Sequence, residues 1–549
     1  MAVLSTVRLP PPAPRPARVA GSARVRAPLP LALAVLLVAL AGPLLALAFP
    51  SLDSPGGWWP LAFVIPAAPL LALQGRRLGG AALVGFVFGL TFYLPLIPWM
   101  TQFLRVPGVE WVPWVALSVA MALYGAVGGM LIALAYRWIP RAWPALSGRL
   151  LVTPLVVAGL WTAREAVAST WPYGGFAWGR VGLSQAESPI APVFSWLGVS
   201  GTSFVMVLLA AVGLAGAQEA LRLRRAFRGS REAARLALRT GLALVAGLGV
   251  LVAVPIFPTA PAGSIRVAAV QGVGKTAYFD VREPGENLAA QVQATLPVLD
   301  DDLDVVLWPE GGSDLDPERV EYARAVFDTI SRAASAPLVS GTITARQGAT
   351  GEEYFNTSVV WNAGSGAGDH YDKKHPVPFG EYVPDRSFWR QFAPDLIDLI
   401  GREYTPGTTD QVLDVNGVLA GASICFDIVD DALQRAAIRE GAEVLFAQSN
   451  NGDFGRTAEG LQQLAIARIR AIETGRAVVN ISTVGTSAII LPDGSDLDRL
   501  TWYEPGAMVD DVPLYRGETP AVLFGAGIEL LVSLLGLGAL VVARLARRD

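Results

Sequence analysis

The chain has 549 residues, of which 52% are hydrophobic and 16% are charged, a composition too apolar for an ordinary soluble protein of this length. The formal net charge is −4, but the charge is distributed unevenly along the chain. Residues 1–257 carry 20 Lys and Arg against 6 Asp and Glu, whereas residues 258–520 carry 20 Lys and Arg against 39 Asp and Glu. The single cysteine excludes an internal disulfide bond, so we expect the fold to depend on its core and on a bilayer.

Apolar stretches long enough to span a bilayer occur seven times before the acidic region and once after it, since a spanning helix needs about 20 such residues. The predicted spans are 29–49, 57–74, 78–99, 112–136, 150–168, 193–216, 237–257 and 521–543. The first span follows a basic start and resembles a signal peptide, but six further spans follow it, so we interpret it as a retained anchor. Residues 1–28, rich in Pro, Arg and Ala, are predicted to be disordered.

The arginines indicate the orientation of these spans, because basic residues concentrate in short cytoplasmic loops. Twenty arginines lie in the N-terminal segment, after the second, fourth and sixth spans, and in the tail, whereas the other short loops hold only Arg105, Arg164 and Arg180. This alternation predicts that both termini are cytoplasmic and that residues 258–520 are extracytoplasmic. The basic cluster 222–239 could instead bind nucleic acid, but topology already explains it, so we expect no nucleic-acid partner.

One predicted extracytoplasmic segment, between the fifth and sixth spans, is unusually aromatic. It contains Trp161, Glu165, Trp171, Tyr173, Phe176 and Trp178, with glycines among them. Two interpretations stay open: an aromatic belt at the membrane interface, or a lipid-facing rim that admits an acyl chain laterally.

From Ser264 onward, short β-branched runs alternate with helical stretches, which is typical of an α/β domain. The predicted strands are Ile265–Val270, Asp304–Trp308, Leu338–Thr342, Thr357–Trp361, Leu419–Ile424, Val444–Ala447, Val478–Ser482 and Ala488–Leu491. Helices are predicted near 284–299, 317–335, 430–441 and 457–475. Both ends of the domain continue into predicted spans, so we expect it to lie against the outer membrane surface.

Three polar groups follow apolar strands or lie in adjacent loops, where α/β folds gather their active sites. Glu310 ends Val-Val-Leu-Trp-Pro-Glu, Lys373 lies in Tyr-Asp-Lys-Lys-His-Pro-Val-Pro-Phe-Gly-Glu, and Cys425 ends Ala-Ser-Ile-Cys. A cysteine attacks as its thiolate; a carboxylate can take its proton, and an ammonium can stabilise an oxyanion.

Lysine usage supports this interpretation, because the chain has only three lysines, Lys275, Lys373 and Lys374, against 40 arginines. A compact ammonium with a tunable pKa cannot be replaced by guanidinium. The alternatives are a chance lysine pair on a solvated loop and a buried cysteine that only fills space.

The three motifs, in this order, resemble the Glu-Lys-Cys triad of the nitrilase (carbon–nitrogen hydrolase) superfamily. With eight spans around the domain, the chain resembles the bacterial apolipoprotein N-acyltransferase family. The matching segments are Trp161–Gln185, Trp-Pro-Glu at 308–310, Tyr-Asp-Lys at 371–373, Val-Pro-Phe-Gly-Glu at 377–381 and Ile-Cys-Phe-Asp at 424–427.

This resemblance implies an α+β membrane protein of the bacterial cell membrane. Its parts would be a disordered segment 1–28, a seven-span domain 29–257, a nitrilase-like α-β-β-α sandwich 258–520, an eighth transmembrane helix 521–543 and a cytoplasmic tail 544–549. We expect a monomer that uses no cofactor and no metal.

The resemblance also implies ping-pong acyl transfer. Glu310 would act as general base, Cys425 would attack a phospholipid ester to form a thioester, and Lys373 would stabilise the oxyanion. The amine of the diacylglyceryl-cysteine of an apolipoprotein would then accept the acyl chain. Glu381 matches a further glutamate of the family, which would orient Lys373 or relay protons.

Some residues depart from the family pattern. Phe426 replaces a common tyrosine, Asp427 replaces a usual glutamate, and Asp453 lies where a tryptophan is frequent, which bears on acyl-donor preference. The role of Glu529, inside the last span, stays open. Two rival functions also stay open: a membrane-tethered nitrilase-type amidase or hydrolase, and a non-catalytic homologue that acts as a scaffold.

Overall fold

The computed structural model describes residues 29–104, 106–226, 231–277, 280–349 and 351–546. The segment 1–28, predicted to be disordered, and residues 547–549 of the predicted tail lie outside these ranges. The described residues form a helical bundle and an α/β domain that is inserted before the last helix of the bundle.

The apolar N-terminal half is helical throughout, and irregular turns join its helices. The helices are α1 (Leu31–Ala46), α2 (Leu61–Val64), α3 (Ala67–Leu73), α4 (Leu78–Leu96), α5 (Thr101–Leu104), α6 (Trp111–Ala142), α7 (Thr153–Ala168), α8 (Phe194–Ala226) and α9 (Arg231–Ala253). Single turns of tighter or wider helix lie at Pro98–Met100, Gly148–Val152, Val181–Gln185 and Ala191–Val193.

The second half alternates strands with helices and then returns to the bundle. Its strands are β1 (Ala260–Gln271), β2 (Val305–Leu307), β3 (Leu338–Gln347), β4 (Glu352–Asn362), β5 (Gly366–Asp372), β6 (Val412–Val415), β7 (Val418–Ile424), β8 (Val444–Ser449), β9 (Val478–Ser482), β10 (Ala488–Ile490), β11 (Asp496–Arg499) and β12 (Gly506–Arg516). Its helices are α10 (Glu286–Thr295), α11 (Glu321–Ala334), α12 (Arg386–Trp389), α13 (Pro394–Ile397), α14 (Asp431–Arg439), α15 (Ala458–Thr474) and α16 (Pro520–Leu545).

Six helical segments within the described ranges are long and apolar enough to cross a membrane: α4, α6, α7 together with the turn before it (Gly148–Ala168), α8 together with the turn before it (Ala191–Ala226), α9 and α16. The other two predicted spans, 29–49 and 57–74, form shorter apolar helices. With 16 residues, α1 is about 24 Å long, less than a hydrocarbon core of about 30 Å. The second is divided at Pro66, since proline cannot donate the backbone hydrogen bond that would join α2 to α3. Length and composition therefore support six of the eight predicted spans.

Glycines let the bundle helices approach closely. A Cβ added at Gly85 of α4 would lie 2.1 Å from the carbonyl oxygen of Gly125 on α6, so only glycine fits there. At Gly159 of α7 the same atom would lie 2.4 Å from the carbonyl oxygen of Val532 on α16. The last helix thus packs against α7 and joins the bundle formed by the N-terminal half.

The α/β domain is a sandwich of two six-stranded sheets. The first sheet has the order β12-β1-β2-β3-β4-β5 and the second β11-β10-β9-β8-β7-β6. Apolar residues of both sheets, such as Val267, Leu307, Ile424 and Phe446, form the central core. Helices α10 and α11 cover the outer face of the first sheet through a separate core that includes Phe327.

Helices α14 and α15 cover the outer face of the second sheet, and their core is continuous with that of the bundle. Nearly every residue of α15 is therefore buried, from Glu459 to Thr474. The second sheet is thus separated from the bundle by a single layer of helix.

The two connections between domain and bundle lie side by side. Strand β1 begins shortly after α9 and pairs antiparallel with β12, from Ala260 opposite Arg516 to Gln271 opposite Gly506. Only three residues separate the end of β12 from the start of α16. The domain is therefore anchored at both ends through one pair of neighbouring strands.

Candidate active site

The three predicted catalytic side chains all follow strands of the sandwich: Glu310 follows β2, Lys373 follows β5, and Cys425 follows β7. Two hydrogen bonds fix these strand ends. The backbone N–H of Lys373 donates to the carbonyl oxygen of Asn356, 2.8 Å away. The Gln448 amide, on β8 of the second sheet, donates to the carbonyl oxygen of Trp308 in the first sheet at 2.6 Å.

The Glu310 carboxyl is buried at the site with one oxygen satisfied. Asn356 Nδ2 donates to Glu310 Oε1 at 2.7 Å, whereas Oε2 is buried with no hydrogen-bond partner among the described residues. Burial and the nearby charge of Glu381 raise the pKa of Glu310 to about 7, although Lys373 and Asn356 act in the opposite direction. A carboxyl that titrates near neutral pH is suited to exchange protons in both directions.

Lys373 is only 1% exposed and its ammonium lies 2.8 Å from Glu381 Oε2. Burial alone would lower the pKa of Lys373, but the charges of Glu381, Cys425 and Glu310 more than offset it, so the pKa lies above its usual value. Glu381 is held in turn by Asn356 Nδ2 at 2.8 Å and by the backbone N–H of Val377 at 2.6 Å. The site therefore contains a fixed ammonium that stays charged near neutral pH.

Cys425 occupies a strained backbone conformation at the point where β7 turns into the short helix Cys425–Val429. Its φ of +52° lies in the left-handed region, which costs a residue with a side chain about 1–2 kcal/mol. Burial and the charge of Glu310 raise the pKa of the Cys425 thiol well above its usual value, while Lys373 lowers it. The thiol therefore needs a base beside it to react near neutral pH.

Asp427 fixes the turn that carries the cysteine. Its Oδ2 accepts hydrogen bonds from the backbone N–H of Ile424 at 3.1 Å and from the Tyr371 hydroxyl at 2.9 Å. Burial raises the pKa of Asp427 to about 6, against the nearby charge of Lys373. The structure places this supporting residue behind Cys425, bound to the backbone that precedes it.

Phe426 points toward the bundle and belongs to an aromatic wall formed by Phe176, Trp178, Phe426, Trp99 and Phe454. Its ring stacks on both Phe176 and Trp178, with centroids 6.0 Å apart in each case. Within the wall, the rings of Trp99 and Phe454 lie with their centroids 5.2 Å apart, and Phe454 is the neighbour of Asp453. The aromatic segment that the sequence analysis identified between two spans therefore contains both buried and exposed residues. Trp161 and Trp178 are buried, whereas Trp171 is 66% exposed.

Four site residues were not predicted from the sequence: Asn356, Asn451, Glu459 and Gln463. Asn451 Nδ2 donates to Glu459 Oε2 at 2.7 Å and to Gln463 Oε1 at 2.9 Å. Gln463 Nε2 in turn lies 3.9 Å from Cys425 Sγ. Burial and the charge of Glu310 raise the pKa of Glu459 to about 8, against the hydrogen bond from Asn451. A chain of polar groups thus orients one amide donor toward the sulfur.

A buried ion network joins the site's domain to the bundle. Arg180 forms a bidentate pair with Asp431, at 2.6 and 2.8 Å, and Arg470 reaches the same carboxylate at 2.6 Å. Arg470 also pairs with Glu473. Glu529, whose role the sequence left open, accepts a hydrogen bond from the Ser200 hydroxyl at 2.6 Å. The Arg180 and Arg470 contacts with Asp431 connect the bundle to α14 and α15.

A nitrilase-like α/β sandwich with a carboxyl, a buried ammonium and a thiol at its strand ends, mounted on apolar helices, defines a membrane-bound protein of the carbon–nitrogen hydrolase class. The family model "Carbon-nitrogen hydrolase" matches residues 266–519, and "Apolipoprotein N-acyltransferase N-terminal domain" matches residues 41–212. The chain belongs to the apolipoprotein N-acyltransferase family.

Curated relatives support this assignment over most of the chain. The chain is 33% identical to an apolipoprotein N-acyltransferase of Mycolicibacterium smegmatis, over 89% of this chain and 82% of that protein. It is 30% identical to one of Azotobacter vinelandii, over 92% and 96%. Among solved structures, an amidase of the nitrilase superfamily from Nesterenkonia AN1 is 20% identical, covers 46% of this chain and 93% of its own, and has a TM-score of 0.35.

Proposed function

We propose that this protein transfers a fatty acyl chain from a membrane phospholipid to the N-terminal amine of the diacylglyceryl-cysteine of apolipoproteins. The observation that carries the proposal is the arrangement of Glu310, Lys373 and Cys425 in one site at the strand ends of the sandwich, one helix layer away from apolar helices. Membership of the family supplies the class of donor and acceptor.

In the first half-reaction Glu310 takes the proton of the Cys425 thiol, and the sulfur attacks the ester carbonyl of the phospholipid. The Lys373 ammonium stabilises the negative charge that develops on the carbonyl oxygen, a role for which its burial and its contact with Glu381 hold it ready. When the tetrahedral intermediate collapses, the lysophospholipid oxygen leaves and takes the proton from Glu310. An acyl thioester remains on Cys425.

In the second half-reaction the lipoprotein amine attacks the thioester carbonyl and gives a proton to Glu310. Lys373 again faces the oxyanion. Collapse breaks the carbon–sulfur bond, forms the amide, and returns the proton from Glu310 to the sulfur. A pKa of about 7 suits Glu310 to this alternation between base and acid.

The aromatic wall gives the acyl chain an apolar surface beside the sulfur, since Phe426 immediately follows Cys425 and stacks on Trp178 of the bundle. We propose the orientation given by the arginines, with both termini cytoplasmic and the sandwich outside, and with α1 and the pair α2–α3 as additional crossings of an eight-crossing base. A thioester beside the aromatic wall is partly shielded from water.

The purified full chain tests the proposal. Incubation with labelled phospholipid and a diacylated lipopeptide should give triacylated peptide, with an acyl adduct on Cys425 in the intact mass when the acceptor is omitted. Cys425→Ala and Lys373→Gln should abolish transfer, whereas Lys374→Gln, the same change at the neighbouring lysine, should retain it.

Three outcomes would contradict the proposal. Release of free fatty acid without acylated peptide would favour the hydrolase. Unchanged peptide acylation by Cys425→Ala would refute the thioester mechanism, and the absence of both adduct and product in the wild type would favour a scaffold.

A further inference from the structure

A second polar site lies at the end of the bundle opposite the α/β domain. Helix α6 begins close to the domain, where Phe103 of the preceding helix stacks with Phe454, and its 32 residues extend for about 48 Å to the other end. There a cleft with room for about 110 Å³ of solvent is lined by the ends of α3, α6, α7 and α8. We call it the arginine cleft, after Arg137, Arg141, Arg149 and Arg222.

Among the residues that line the arginine cleft, basic side chains outnumber acidic ones. Its lining contains four guanidinium groups and one carboxylate, that of Glu219. Glu219 is shared between Arg149 at 3.1 Å and Arg222 at 3.2 Å, so one carboxylate serves two of the arginines. The cleft therefore favours an anion.

Two hydrogen-bond donors in the cleft lack an acceptor. Arg149 Nε and Gln218 Nε2 are both buried and have no partner within the described ranges, although Arg149 binds Glu219 and the carbonyl oxygen of Pro144 through its other nitrogens. Buried donors in folded proteins are nearly always paired, so an orphan pair beside a cleft points to a missing acceptor. An oxygen-rich anion would satisfy both.

Phosphate is the anion that matches this donor set. Guanidinium groups bind phosphate oxygens in a bidentate geometry, and basic pockets between membrane helices hold anionic lipid headgroups. Because α6, α7 and α8 are long and apolar enough to cross a membrane, a cleft at their ends would lie at the headgroup level of one leaflet. We propose that the arginine cleft binds the phosphate of an anionic phospholipid headgroup, a structural lipid that is distinct from the acyl donor and fixes the ends of α6, α7 and α8.

Native mass spectrometry of the delipidated full chain in detergent tests this site, with phosphatidylglycerol as the probe. The wild type should retain one phosphatidylglycerol at least fivefold more tightly than an Arg149→Gln/Arg222→Gln variant. An Arg235→Gln/Arg239→Gln variant removes two arginines from the exposed surface of α9 and should bind as the wild type does. Gln218→Met, which removes a donor without changing charge, should also weaken binding.

Several results would overturn the assignment. Equal weakening by the α9 variant would mean that charge alone, not the cleft, attracts the lipid. Equally tight binding of sn-glycerol 3-phosphate would identify a soluble phosphate site instead of a lipid site. Wild-type affinity in both the Arg149→Gln/Arg222→Gln and Gln218→Met variants would exclude the cleft altogether.

Discussion

Gln463 should control how readily Cys425 ionises. Its Nε2 lies 3.9 Å from the sulfur, and its orientation is set by Asn451, which donates to its Oε1. A donor that faces the thiolate stabilises the charged form, so the change Gln463→Met, which keeps the length of the side chain, should raise the pKa of the Cys425 thiol.

The size of the effect follows from the geometry. Hydrogen bonds to charged groups contribute about 1.5–3 kcal/mol, and a contact at the outer limit for a sulfur acceptor belongs at or just below the lower end. About 1.4 kcal/mol corresponds to about one pKa unit, and hence to about tenfold less thiolate at a given neutral pH. Asn451→Leu should act in the same direction, because it removes the group that orients Gln463.

The chain supplies its own reporter for this measurement, because Cys425 is its only cysteine. The rate of alkylation by iodoacetamide, followed by intact mass across a pH series, gives the midpoint of thiol ionisation. Gln391→Leu, a change at an exposed glutamine, serves as control and should leave the midpoint unchanged. A Gln463→Met midpoint equal to that of the wild type would refute the role of this amide.

Three further outcomes are expected. Because Glu310 must be ionised to accept a proton, acylation should fall about tenfold per pH unit below about 7, and Asn356→Leu, which removes a donor to Glu310, should move this limb to higher pH in a pH–rate profile. Phe426→Ala should lower kcat/KM about tenfold for a long-chain donor and little for a short-chain one, as measured by lysophospholipid release; an equal loss for both would contradict an acyl-binding wall. Arg180→Gln should lower the free energy of unfolding by about 3 kcal/mol and lower the thermal midpoint in detergent, because it leaves a buried carboxylate without its partner. Adding Asp431→Asn should restore part of the midpoint. An unchanged midpoint would show that this ion pair does not stabilise the junction.

The sequence predicted the interior of the α/β domain better than its margins. All eight predicted strands occur in the structure, and the four that were missed, β5, β6, β11 and β12, are the edges of the two sheets. Edge strands meet solvent or loops and carry charge, Gly and Pro, which prevents accidental pairing, so they lack the apolar runs that identify central strands. In β12, for example, Asp510, Asp511 and Pro513 interrupt the apolar pattern.

The residues of the candidate site could likewise be predicted only in part from the sequence. Glu310, Lys373 and Cys425 each lie in a local motif at a strand end, so their proximity could be anticipated from the sequence. The hydrogen-bonded group of Asn451, Glu459 and Gln463 joins a loop residue to two residues of α15. This group has no periodicity of its own in the sequence. Such contacts depend on tertiary packing, and no local pattern in the sequence identifies them.

The pairing of β1 with β12 has a consequence for the synthesis of the chain. Residue 260 leaves the ribosome long before residue 516, so β1 has an unpaired edge while the rest of the sandwich is made. The first sheet is completed only when β12 emerges, and α16 follows after three residues. Completion of the α/β domain and synthesis of α16, which is long and apolar enough to cross a membrane, are therefore nearly simultaneous events. A chain that stops before residue 506 would present an open, aggregation-prone sheet edge.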